Sequence, residues 1–175
     1  MGFFDKMFGK PQAQPTGSSE QTPAKILFAG NTIAANNIFD DDEKTKGGVF
    51  EALLLASIYT LMSVKAEKPH LYAQFETQYF SRIEQYARAE GIMGLIKGDY
   101  AGFVNNRFQF YGRISRSSDQ ATLNKTVYNF FENPLQLESG FCSNPMAMLI
   151  GLQKVTSLFE MVDENRKMVY HQMRL

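Results

Sequence analysis

Residues 49–65 read VFEALLLASIYTLMSVK, and this stretch decides the fold. Wound at 3.6 residues per turn, its apolar positions fall on every side of the helix. Phe50, Leu53, Leu54, Leu55, Ile58, Leu61, Met62 and Val64 leave it no wet face. Such a helix is stable in water only when other helices surround it, so the segment predicts the centre of a bundle. Ala52, Ala56, Thr60 and Ser63 share one side, where short side chains would admit a neighbour closely. The apolar run from Val49 to Val64 includes Glu51 and falls short of the ~20 residues a membrane-spanning helix needs.

Working outward, both flanks supply partners for that helix. Upstream, Thr22-Pro23 offers a cap with proline in the first turn, and a helix is expected to run to about Phe39 with Ile26, Ala29 and Ile33 on one side. The acidic Asp40 to Glu43 and the pair Gly47-Gly48 are expected to break it. Downstream, Pro69 opens a helix to Glu90 in which Tyr72, Phe75, Tyr79, Ile83 and Tyr86 recur at steps of three and four. Gly91, Gly94 and Gly98 punctuate a short segment before a fourth helix, Asp99 to Ser115, with Tyr100, Phe103, Val104, Phe108, Tyr111 and Ile114 on one face. Ser118-Asp119 caps a shorter fifth helix carrying Leu123, Val127, Phe130 and Phe131. Asn144-Pro145 opens the last and longest, lined by Met148, Leu152, Val155, Phe159, Val162, Val169 and Met173. Strand-type alternation is nearly absent. The expected fold is all-α: a single-domain bundle of about six helices around a central apolar one.

The 175 residues divide by composition. Residues 1–10 form a short aromatic segment. Residues 11–24, PQAQPTGSSEQTPA, carry almost nothing apolar to offset the entropy of ordering, and so read as a linker. Residues 25–175 hold the periodic pattern and form the expected domain. Apolar residues make up 44% of the chain, enough for a folded core. Lys plus Arg and Asp plus Glu number 18 each, so no net charge draws the protein to nucleic acid or anionic lipid. Cys142 is the only cysteine and His70 and His171 the only histidines. These numbers exclude an internal disulfide, a cysteine-rich zinc site and a three-histidine catalytic zinc. No cofactor is expected. The opening residues lack the features of a secretory leader, which makes the cytoplasm the expected compartment.

Several features bear on chemistry. Counted from Asp40, Asp42 and Glu51 fall at positions three and twelve of a calcium loop, but Lys44 stands where a ligand belongs and Thr45 replaces the turn glycine. A solvated inter-helix loop is the expectation. Neither histidine stands in a metal-binding spacing, and both are expected at the surface. Cys142 is expected to be inert, and Asn124-Lys125-Thr126 matches a glycosylation sequon that matters only after export. Lys97 to Arg116 mixes Lys97, Arg107, Arg113 and Arg116 with five aromatics, yet most of those rings fall on the core stripe. Stacking on single-stranded nucleic acid is therefore not expected.

Two arginines stand on apolar faces. Arg107 sits among Phe103, Val104, Phe108 and Tyr111, and Arg166 continues the seam from Val162 toward Val169. A guanidinium aimed inward must meet a carboxylate, carbonyls or a bound anion. An internal ion pair is the leading expectation, and an anion-binding pocket between these helices is the functional alternative. At the other end, Phe3, Phe4, Met7 and Phe8 share one side of a short amphipathic segment that would dock on a protein partner, lie in the inner face of a membrane, or fold back on its own domain. The leading functional expectation is a non-catalytic interaction module: an adaptor, chaperone or subunit of a larger assembly. The second, from another class, is a helical anion- or small-ligand-binding protein or enzyme using Arg107 and Arg166.

Overall fold

The computed structural model describes residues 21–41, 44–114, 118–136 and 140–175. Among them lie six α-helices and no strand: α1 (Pro23–Asn37), α2 (Lys46–Glu67), α3 (Tyr72–Ala89), α4 (Tyr100–Tyr111), α5 (Gln120–Val127) and α6 (Pro145–Met173). The all-α bundle expected from the sequence is what forms. Residues 1–20, with Phe3, Phe4, Met7 and Phe8, lie outside the described residues, as do Asp42, Glu43 and Arg116.

Helix α2 is the hub, touching α1, α3, α4, α6 and the turn that follows α5. Leu53, Leu55, Ala56, Leu61 and Val64 have no exposed surface. At 22 residues it is longer than its apolar run, and it is the one described helix long and apolar enough to cross a membrane. Of its apolar window 83% is covered by the protein itself, as in the core helix of a soluble bundle. The extension comes at its start. Thr45 accepts the backbone N–H of Gly48 at 3.0 Å and caps the helix, so Gly47 and Gly48 lie inside the first turn and do not break the chain. Gly48 has a packing reason to lack a side chain, because a Cβ there would stand 2.5 Å from the carbonyl oxygen of Phe130. That residue belongs to a π-turn, Tyr128–Glu132, which continues α5 and presses on the N-terminal end of α2.

The small-residue side of α2 receives α1, by a route the apolar pattern of α1 concealed. Of the three expected on the inner side, Ile26 is only partly buried against the core, while Ala29 is exposed and Ile33 is 62% exposed. The helix is rotated so that Ala24, Leu27, Phe28, Asn31, Ala34 and Ala35 are buried. Asn31 explains the rotation. Its amide donates to Thr60 Oγ1 at 2.9 Å and lies 3.3 Å from the Ala56 carbonyl and from the Tyr79 hydroxyl. This polar residue in the seam, to which the sequence pattern assigns no role, is a satisfied donor between three helices.

The remaining helices close the bundle. A 3-10 turn, Pro69–Leu71, takes the place of the expected first turn of α3, and Phe75, Tyr79 and Ile83 then face inward. Phe50 of α2 stacks on Tyr86 at 6.3 Å and Lys65 caps the ring of Tyr72 at 5.2 Å, which sets α2 and α3 antiparallel. Asp99 caps α4 through the N–H groups of Ala101 and Gly102, and that helix stops at Tyr111, short of the expected Ser115. Asn144 caps α6, whose 29 residues make it the longest helix. Asn165 donates to the Leu27 carbonyl at 3.3 Å while Lys154 pairs with Asp40 at 2.8 Å, so α1 and α6 run antiparallel.

Candidate functional site

Arg107 is fully buried, and so is Glu51 on the hub helix. The guanidinium Nε lies 2.8 Å from Glu51 Oε2, and its Nη2 donates to Oε1 at 3.0 Å. The same carboxylate accepts the Tyr111 hydroxyl at 2.7 Å and the backbone N–H of Leu135 at 3.0 Å. Arg107 Nη2 also donates to the Gln136 carbonyl, Nη1 donates to Asn106 Oδ1, and the guanidinium lies 4.9 Å over the ring of Phe103. Burial works against the charge on Arg107, but the charge and hydrogen bonds of Glu51 outweigh it and hold the guanidinium protonated above its ordinary range. Burial, then the Glu51 charge, pushes the Tyr111 hydroxyl well up, so it stays a donor.

This network carries a structural consequence. Leu135 has φ 66, a left-handed conformation unusual for a side chain that branches. Its N–H is held by Glu51, and the next carbonyl is held by Arg107. The chain after the π-turn is thus clamped to the core by both halves of one ion pair. Glu51, counted in the sequence toward a calcium loop, faces inward. No group of three or more metal-ligating side chains is present among the described residues.

Arg166 solves the same problem at the other end of α2. It pairs with Glu67 through Nη1 and with Asp163 through Nη2, the latter at 3.0 Å, while Tyr59 donates to the other oxygen of Asp163 at 3.3 Å. The Arg166 guanidinium also lies 5.8 Å from the centre of the Tyr170 ring. Here too burial opposes the charge and the two carboxylates overcome it. The two arginines do not converge. Their partners Glu51 and Glu67 stand 16 positions apart on one helix, about 24 Å at a rise of 1.5 Å per residue.

Other candidates are equally committed. Cys142 is buried, its thiol pushed up by burial and by the neighbouring Glu132, the wrong direction for a nucleophile. Asn124 of the sequon is buried: it donates to the Cys142 carbonyl at 2.9 Å and accepts the Cys142 N–H at 2.7 Å. His70 and His171 are exposed. Of the five rings in the basic span, Phe103 and Tyr111 are buried and Tyr100, Phe108 and Phe110 are partly so. A recess at the end of α6 is lined by Tyr170, His171, Gln172, Arg174 and Leu175, all from one short stretch of chain.

What stands out lies at the opposite end of α6. Met146 is 66% exposed, Leu149 53% and Ile150 45%. At spacings of three and four they form one face of the first two turns. Phe141, 57% exposed, lies in the chain leading into the same end. The inward stripe of α6, with Met148, Val155, Phe159 and Val162, is buried as expected. The second, outward stripe was missed, although 146, 149 and 150 carry their own helical spacing in the sequence. No family model matches the chain, and neither a curated protein nor a solved structure matches it.

Proposed function

We propose that the protein is a non-catalytic helical interaction module: an adaptor, chaperone or assembly subunit of the cytoplasm. Residues 1–10 act as its docking segment and α6 presents its contact face. The observation that carries this reading is the outward row Met146, Leu149 and Ile150. Large apolar side chains grouped on one exposed helix face are unfavourable in water, and such grouping, unlike scattered single residues, is a feature of contact surfaces. The inward arginines favour the same side of the argument. Each guanidinium is already paired within the chain, Arg107 with the buried Glu51 and Arg166 with Asp163 and the more exposed Glu67, which leaves an anion little to gain.

Affinity capture from cell extract with the full chain tests the proposal, using Leu149→Asp/Ile150→Asp and Phe4→Ser/Phe8→Ser as comparisons. Both variants should lose the captured protein while melting within a few degrees of the parent. Capture that neither variant alters would refute it. A rise in melting midpoint with sulfate that disappears in Arg107→Leu would favour the ligand-binding alternative instead.

A further inference from the structure

The exposed row on α6 needs an occupant, and three are available. A second copy using the same row would bury too little: four half-exposed side chains per partner fall well short of the ~800 Å² per side of a stable interface. A lipid surface calls for cations at the rim of the patch. The nearest on α6, Lys154, is drawn away to Asp40 at 2.8 Å and over the ring of Phe131 at 5.5 Å. The third is the chain's own aromatic segment, whose Phe3, Phe4, Met7 and Phe8 match the row in number and in kind.

The tether reaches. Leu27 stands level with Asn165, and α1 and α6 are antiparallel. From Asn165 to Leu149 is 16 residues, about 24 Å of helix, and Pro23 lies four residues, about 6 Å, beyond Leu27. The axial span is therefore about 30 Å. Residues 11–24 read as a linker from their composition, and the 12 of them that precede α1 at Pro23 would reach about 40 Å when extended and about 20 Å as a coil. Stretching such a coil to 30 Å still gives an effective concentration on the order of 1 mM, far above that of any second copy in dilute solution.

We infer that residues 3–8 seat on the Met146–Leu149–Ile150 row of the same chain, with Phe141 beside them, so that a partner gains this face by displacing them. The inference rests on the reading of that row as a contact surface. It adds that the free protein covers the row itself and exposes the docking segment and the contact face together on binding.

Methionine oxidation in the full chain reads this directly, since peroxide attack follows exposure. Met146 is 66% exposed and Met168, on the same helix, 49% exposed, so an uncovered Met146 oxidises at least as fast as Met168. With the segment seated, Met146 should oxidise at least threefold more slowly than Met168, equally at 1 and 100 μM protein. Phe4→Ser/Phe8→Ser should restore the faster rate at Met146 and leave Met168 unchanged. Ile150→Asp, exposed and tolerant, should do the same without touching the segment. The inference is overturned if Met146 in the parent keeps pace with Met168, if its protection grows with protein concentration, or if the double variant changes nothing. Extract capture that still depends on Leu149 and Ile150 would then leave the interaction reading standing alone, and loss of both would remove it too.

Discussion

Replacing Glu51 with glutamine should be among the most damaging single-atom-scale changes in this protein. The amide keeps the shape of the side chain and an oxygen for the Leu135 N–H, so no cavity opens. What the change removes is the carboxylate charge that pairs with Arg107, whose guanidinium has no exposed surface. Stranding a buried charge costs about 3–5 kcal/mol. Against a total stability of about 5–15 kcal/mol, that is a large share. With a urea slope of about 2 kcal/mol per molar, the denaturation midpoint followed by circular dichroism should fall by roughly 2 M. Arg107→Met should cost about as much, since it strands the carboxylate in turn. The double variant Glu51→Gln/Arg107→Met removes both charges. It should recover at least about 2 kcal/mol relative to the sum of the two, leaving mainly the unmet Gln136 carbonyl, worth about 1–3 kcal/mol. A Glu51→Gln midpoint within about 0.5 M of the parent, or a double variant as weak as the sum of the singles, would refute the buried-pair reasoning.

Two further outcomes follow from packing and titration. Gly151→Ala would place a Cβ 2.4 Å from Val127 Cγ1 where α5 crosses α6, and should cost about 1–3 kcal/mol of overpacking, part of which Val127→Ala restores; an unchanged melting midpoint would show that the helices are not in close contact there. Tyr79 and Tyr111 are raised by burial above the ordinary value of 10.0, so their contribution is complete below about pH 10 and is lost as the unfolded chain ionises above it; urea titrations at pH 9, 10 and 11 should show stability falling by up to about 1.4 kcal/mol per pH unit for each, more gently in Tyr79→Phe, and a flat profile would contradict their burial.

Much of the architecture was legible because it is set by pattern and by caps, which are local. A helix with no wet face has one stable place in water, and residues 49–65 say so without any coordinates. Thr22-Pro23, Asp99, Asp119 and Asn144 mark helix starts through side-chain chemistry that acts within three residues, and each caps a helix in the structure. The inward stripes of α3 and α6 follow from the same local periodicity.

Where that reading failed, the deciding contact came from far along the chain. The buried face of α1 depends on Asn31 meeting Thr60 and Tyr79, and no apolar stripe announces a polar residue whose partners are other helices. Glu51 looked like a flaw in an apolar helix or the last position of a calcium loop. Only folding brings Arg107, Tyr111 and Leu135 to it, from as far as 84 residues away, and turns the flaw into a clamp. That two arginines point inward could be read from the sequence, because a charge on an apolar face has few alternatives. That each meets its own carboxylates, at opposite ends of one helix, is a matter of distance in space. Periodicity likewise places Met146, Leu149 and Ile150 on one face of α6, but whether a face is covered depends on where every other helix goes, and exposure is a property of the folded molecule alone.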